Sequence, residues 1–299
     1  MKTSSLKTIH FFIVLLIILS DFISAESVNL DSTFYLDEVR ISENKLKILS
    51  WNIKMLPGPF GWFLNRKERA EKIVQFLNNS NEYDIIFFQE AFSGSMRKRI
   101  FSGLVQKYPH QIEPADKKNL FKSNSGLWAI SRLPIMLIDD ILFSQLRDSD
   151  KLASKGAKLY SVLKNKRKFH FINTHLQSDY EKQYADIRIQ QYTEIYDQLI
   201  LPNDKENIPL ILCGDLNISR PAKLKKMLHK LKLKNGPLLG NMQHSLLGKK
   251  KHLVDYILVK KNHFLFKSVK RRIIDFSIKP NKNKYIMSDH YPVEAIISW

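Results

Sequence analysis

Ile211-Leu212-Cys213-Gly214-Asp215-Leu216-Asn217 is an apolar run that stops at two polar side chains. Three consecutive residues suited to a covered sheet position, followed by Gly and then Asp, read as a buried strand and its exit. A buried strand has little use for Asp or Asn unless they face a site at the sheet edge, because an unpaired polar group costs roughly 1–3 kcal/mol to bury. Five other places repeat the pattern. Ile48-Leu49-Ser50-Trp51-Asn52 ends in Asn52, and Ile85-Ile86-Phe87-Phe88-Gln89-Glu90 ends in Glu90. Phe171-Ile172-Asn173-Thr174-His175 ends in His175, Val254-Asp255-Tyr256-Ile257 begins with Asp255, and Ser288-Asp289-His290-Tyr291-Pro292 leads into the last apolar run. One such residue alone reads as a cap, a turn or a satisfied histidine. Six in the same topological position are hard to explain that way.

Working outward, short apolar runs rich in β-branched and aromatic residues predict strands over 46–53, 84–89, 126–131, 135–143, 157–163, 168–174, 209–214, 253–259, 264–274 and 292–298. Helical spacing predicts helices over 66–78, 95–107, 184–200 and 221–234, the first with Ala70, Ile73, Val74 and Leu77 on one face. Ten strands with few helices exceed a doubly wound parallel sheet. Two packed sheets with outer helices fit better. No linker rich in Pro, Gly or Ser divides the chain, so residues 26–299 are expected to form a single domain.

The chain has 299 residues, 44% hydrophobic and 11% aromatic, with 10 Gly and 11 Pro. That excludes a disordered, collagenous or low-complexity protein. The single cysteine, Cys213, excludes an intrachain disulfide framework and a cysteine zinc site. Residues 1–25 read as a secretory signal: Lys2 and Lys7 precede the apolar run 11–19, and Ile23-Ser24-Ala25 closes with a small residue. Its removal leaves a charge of +18, of which residues 220–284 carry +17. Charge this one-sided points to an anionic target. The helix over 221–234 interleaves Leu224, Met227, Leu228 and Leu231 with lysines, and its apolar side is expected to pack on the core.

The polar set makes chemical sense. Asn52, Glu90 and Asp289 are hard oxygen donors suited to Mg²⁺ or Mn²⁺, and no HExxH pair or Cys/His cluster competes for zinc. Two histidines and two further aspartates remain. A phosphodiester needs its developing charge neutralised, a base for water and a proton donor for the leaving oxygen. A His held by an Asp supplies a tuned base or phosphate donor.

With Trp51-Asn52, Gln89-Glu90, Gly214-Asp215-Leu216-Asn217 and Ser288-Asp289-His290, the chain resembles the endonuclease/exonuclease/phosphatase superfamily from residue 46 to 298. The resemblance implies a four-layered α/β sandwich of two mixed, mostly antiparallel sheets flanked by helices. It implies that Asn52 and Glu90 bind the metal, that His175 and Asn217 contact the scissile phosphate, and that Asp215 orients or deprotonates water. His290 would act as base or phosphate donor, held by Asp255, with Asp289 near the metal. Which of Asp215 and His290 takes the proton stays open.

Within the superfamily, Asn52-Ile53-Lys54-Met55-Leu56-Pro57, Ser154-Lys155-Gly156, Thr174-His175-Leu176-Gln177 and Ser288 to Ala295 resemble the secreted bacterial sphingomyelinases of phospholipase C type. This implies hydrolysis of sphingomyelin to ceramide and phosphocholine at a phospholipid membrane surface by a secreted or periplasmic bacterial enzyme. No protein partner is expected. Two family features are missing: the paired cysteines, and the aromatic-tipped hairpin between the Asp-Tyr-Ile strand and Ser-Asp-His. The loop Pro57 to Phe63 is the candidate substitute, with Trp62 and Phe63 as membrane contacts. Nucleic acid is the alternative substrate, for a secreted metal-dependent endonuclease, because the +17 segment suits a polyanion. A phosphoinositide phosphomonoesterase and an inactive surface-binding module are weaker readings. The complete polar set argues against the inactive module.

Overall fold

In the computed structural model, strand β1 (Lys45–Asn52) is exposed only at Lys45 and is covered over its last five residues. A strand covered on both faces belongs in the middle of a layered structure. The structure describes residues 44–58, 64–80, 82–115, 122–178, 183–247, 251–261, 266–276 and 287–299. These fall in one compact unit, Asn44–Trp299. The expected signal, residues 1–25, lies outside the described residues.

β1 pairs parallel with β2 (Ile85–Gln89) and antiparallel with β13 (Val293–Ser298). With β3 (His110–Ile112), β4 (Trp128–Ser131), β10 (Leu238–Leu239) and β12 (Ser268–Ile273) they form a seven-stranded sheet in the order β10-β12-β13-β1-β2-β4-β3. The second sheet contains β5 (Ile135–Leu142), β6 (Gly156–Lys164), β7 (Arg167–His175), β8 (Leu210–Asp215), β9 (Leu233–Asn235) and β11 (Asp255–Lys260). Its order is β5-β6-β7-β8-β11-β9, with only β7 and β8 parallel. Among the described residues the α-helices are α1 (Arg66–Asn79), α2 (Gly94–Leu104), α3 (Ala185–Ile195) and α4 (Pro221–Lys230). Two mixed sheets with outer helices match the expected sandwich.

Period-2 alternation sorts each inner strand between two cores. Phe169 and Phe171 of β7, Ile211 and Cys213 of β8, and Ile257 and Val259 of β11 join the core shared with the first sheet, α1 and α2. Their neighbours Ile172, Leu210, Leu212, Tyr256 and Leu258 join a second core with Tyr192 and Ile195 of α3 and Met227 of α4. Each large apolar side chain so buried contributes about 1.5–3 kcal/mol.

Several expectations need correction. The helix expected over 221–234 ends at Lys230. Lys232 takes a left-handed turn (φ 53°), and Leu233 then pairs with Lys260 as β9. Its apolar side packs on the second core as expected, through Leu224, Met227, Leu228 and Leu231. The helix expected over 184–200 changes to a π-helical turn at Tyr196–Ile200. Strands β3, β9 and β10 are additional to those expected from the sequence.

Candidate active site

The strand alternation explains why the polar residues meet. On the inter-sheet series, β7 reads Phe169, Phe171, Asn173, His175; β8 reads Ile211, Cys213, Asp215; and β11, running the other way, reads Val259, Ile257, Asp255. The first sheet matches, with Ile48, Ser50, Asn52 on β1 and Phe87, Gln89 on β2. Every series turns from apolar to polar toward the same end of the sandwich. Gln89 Nε2 donates across the gap to Asn173 Oδ1 at 2.8 Å, and Asn173 Nδ2 to the Phe88 carbonyl at 3.0 Å. These bonds tie the sheets together directly beneath the site.

Backbone geometry then aims the side chains. Lys54, Glu90 and Asn217, each just past a strand end, take φ of 45°, 52° and 50°. Left-handed residues of this kind cost stability and cluster where function needs an unusual direction. Before Asp215, Gly214 holds φ 143°, and a Cβ there would lie 1.9 Å from the Thr174 carbonyl oxygen. Any other residue would force β8 off β7 and displace Asp215.

At the centre, Asn52 Nδ2 donates to both Glu90 Oε1 (2.9 Å) and Asp215 Oδ2 (3.0 Å). His290 Nδ1 lies 2.8 Å from Asp255 Oδ2, and its Nε2 lies 3.8 Å from Asp215 Oδ2. His175 Nε2 lies 3.4 Å from the same oxygen. Lys54 Nζ pairs with Asp289 Oδ2 at 2.5 Å. Asp255 and His290 are fixed by their backbones as well. Ser245 Oγ accepts from the amides of Val254 and Asp255, Tyr291 N donates to the Ser245 carbonyl, and Ser288 Oγ donates to the Asn52 carbonyl.

Burial and close charge perturb these groups. Burial, then the Asp255 carboxylate, pushes Asp215 up to about 7. Burial, then Asp289, raises Glu90. For His290, burial works against charge, but Asp255 and Asp215 outweigh it and hold the imidazole up to about 10. Burial, Lys155 and His290 together keep His175 well below the usual range, so it is neutral. Burial also opposes ionisation of Asp289, and there His290 and Lys54 prevail and lower it. One fold therefore sets a near-neutral carboxyl beside a protonated histidine, the separation that acid–base chemistry requires.

The donors fit a hard divalent cation. Glu90 and Asp215 share one neutral amide donor, and both resist ionisation, which marks a shortage of positive charge beside the two carboxyl groups. Turning the Asn52 carboxamide over would present Oδ1 to the same place. Asp215, Asp255 and His290 also offer ligand atoms within 4.8 Å of one another. There the His290–Asp255 hydrogen bond makes a proton-holding pair, and hard cations favour oxygen over imidazole nitrogen.

The structure thus brings Asn52, Glu90, His175, Asp215, Asp255 and His290 together. Asp289 stands at the rim with Lys54. Asn217 is also at the rim, its Nδ2 bonded to the Leu176 carbonyl at 3.1 Å. Trp62 and Phe63 lie outside the described residues. Lys155 goes unassigned in the sequence reading: its buried ammonium bonds His175 Nε2 (3.1 Å), Asp150 Oδ2 (2.8 Å) and the Leu176 carbonyl (3.2 Å). Its one sequence signal is a lysine directly before the Gly156 strand start.

A profile described as the Endonuclease/Exonuclease/phosphatase family matches residues 49–290. The chain is 29% identical over 296 residues to Sphingomyelinase C of Leptospira interrogans, covering 86% of this chain and 52% of that protein. It therefore spans about half the length of that relative. It is 25% identical over 295 residues to Phospholipase C of Staphylococcus aureus, covering 86% of this chain and 89% of that one. A solved beta toxin structure from Staphylococcus aureus superposes with a TM-score of 0.72 at 24% identity, over 84% of this chain and 99% of that one. That last likeness is one of fold.

Proposed function

Because the chain belongs to the endonuclease/exonuclease/phosphatase family, we propose that it is an exported, divalent-metal-dependent phosphodiesterase that cleaves sphingomyelin to ceramide and phosphocholine. The observation that carries this reading is the Asp255–His290 pair beside Asp215, which itself shares the Asn52 amide with Glu90. The names of the relatives supply the lipid.

Asn52 and Glu90 would hold the cation, Mg²⁺ or Mn²⁺, with Asp289 nearby; bound there, it neutralises charge on the phosphate. Asp215, raised to about 7, takes the proton from water as the water oxygen bonds to phosphorus. The bond from phosphorus to the ceramide oxygen breaks, and that oxygen receives the proton of His290 Nε2. Asp255 keeps His290 charged and oriented for this donation. Neutral His175 and Asn217 contact the phosphate oxygens.

A second reading, an endonuclease, rests on the +17 segment over 220–284. Purified protein assayed on sphingomyelin vesicles and on plasmid DNA, with Mg²⁺ and with chelator, separates the two. Metal-dependent release of phosphocholine is expected. Nicked plasmid without phosphocholine would move the assignment to the nuclease.

A further inference from the structure

Among the described residues, three of the four α-helices carry an arginine as their fourth residue: Arg69 in α1, Arg97 in α2 and Arg188 in α3. All three are buried, at 3%, 8% and 2% exposure. A positive charge in the first turn opposes the helix dipole, by about 0.3–1 kcal/mol even at the surface, and burying it adds desolvation. Neither helix propensity nor solubility accounts for these positions.

Their partners do. A helical side chain leans back toward the N-terminus, so the fourth residue reaches over the first turn onto the entering loop. Arg69 donates from Nη2 to the Ile53 carbonyl (2.8 Å) and from Nη1 to the Lys54 carbonyl (3.2 Å), both just after Asn52. Its Nε and Nη2 also reach the Met287 carbonyl (2.8 and 2.6 Å), two residues before Asp289. Arg97 Nη1 donates to the carbonyls of Ala91 (2.6 Å) and Phe92 (2.9 Å), just after Glu90, while its Nε pairs with Glu113. Arg188 donates to the carbonyls of Gln177 (3.1 Å), Ser178 (3.3 Å) and Gln183 (3.2 Å), in the loop that follows His175. In α4 the fourth residue is Leu224, which packs on the second core.

We infer that Arg69, Arg97 and Arg188 are positioning residues that hold the loops bearing Asn52, Asp289, Glu90 and His175 by binding their carbonyl oxygens, with Arg69 joining the two ends of the chain at the site. This rests on the site assignment above. It adds the reason those loops keep their aim: a planar fork with five donors holds several carbonyls in one fixed geometry, which a point-like ammonium on a flexible stem does not impose. Arg69 also feels the carboxylates of Asp289 and Glu90, so its cation serves the same negative cluster.

The test compares wild type with Arg69→Lys, Arg69→Ala and Arg188→Lys, with the exposed Arg99→Lys of α2 as control. Folding is checked by circular dichroism and Mg²⁺ affinity by calorimetry, with kcat and KM on a soluble phosphodiester. Arg69→Lys should stay folded, lose about 10–100-fold in kcat and in Mg²⁺ affinity, and leave KM within about threefold. Added guanidinium should restore part of the Arg69→Ala loss, and Arg99→Lys should match wild type. If the Arg69 variants do not fold, a similar kcat loss in folded Arg188→Lys supports the inference and wild-type kinetics there overturn it. Wild-type kcat and Mg²⁺ affinity in folded Arg69→Lys also overturn it. A wild-type protein that hydrolyses no phosphodiester refutes the proposed function instead, and Mg²⁺ affinity still reads the role of Arg69.

Discussion

At the ends of β7, β8 and β11 the ionisable side chains are buried and meet one another through His290; on α4 and β9 they stand in water. Asp215 meets Asn52, His175 and His290 within 3.8 Å, and its proton affinity answers to burial and to Asp255, His290 and Asn52. Lys225, Lys226, Lys232 and Lys234 are exposed, and their effect is a sum that reaches outward. Buried charge sets chemistry through individual contacts at low dielectric. Exposed charge sets attraction through its total and is screened by salt. The two regions should therefore fail separately, and each experiment below tries to make them fail together.

Removing divalent cations should abolish turnover, and Mg²⁺ or Mn²⁺ should restore it, while vesicle binding through the lysines survives. Sustained turnover after exhaustive dialysis against chelator would remove the metal from the site. Next in size, His290→Ala and Asp215→Asn should each lower kcat by on the order of 10³-fold, as loss of a proton-transfer or charge-stabilising group does. Their circular dichroism and vesicle binding should match wild type. Either variant keeping more than roughly a tenth of wild-type turnover would be wrongly assigned.

A smaller effect concerns stability. Asp215 and Glu90 have folded pKa values above their unfolded ones. Their contribution is therefore fully present below the unfolded values and is lost as pH rises through the folded ones, for Asp215 between about pH 4 and about pH 7. Asp289, lowered on folding, acts oppositely: its contribution is present above its unfolded value and is lost as pH falls. A cation held by Asn52 and Glu90, beside Asp215, supplies the missing positive charge. Mg²⁺ should therefore raise Tm more at pH 8 than at pH 5, by on the order of 5 °C when saturating. An equal rise at both values would uncouple the metal from these carboxylates.

The site residues are legible in the sequence because each stands beside an apolar run, and the change from apolar to polar is visible locally. Their supports are not. Gln89 and Asn173 bond across the sandwich from 84 positions apart, and nothing in the sequence, where Gln89 counts only as the neighbour of Glu90, pairs the two. Arg69, Arg97 and Arg188 look like solvated helix charges, since only the three-dimensional path of the entering loops brings carbonyls to them. The sheet margins fail for another reason. β3, β9 and β10 have three, three and two residues, too few to show a period of two. At α4 the leucines at 224, 228 and 231 run straight on to Leu233, so the spacing continues past the turn at Lys232 that ends the helix.

The last expectation touches catalysis least. Replacing Lys225, Lys226, Lys232 and Lys234 by Gln removes four exposed charges from α4, the turn after it and β9, and nothing from the site's strand ends. Each lysine that contacts an anionic bilayer is worth about 1 kcal/mol, so vesicle binding at low salt should weaken by about 30-fold if two of the four make contact. Raising salt should bring wild type to the same level, because the Debye length shrinks to about 8 Å at physiological ionic strength. Turnover of a small soluble phosphodiester should stay within about twofold of wild type throughout. Sedimentation with anionic vesicles, run beside that assay over a salt series, reads both at once. Equal loss in the two assays would carry the basic segment into the chemistry, and unchanged sedimentation would leave it a solvated face that serves solubility alone.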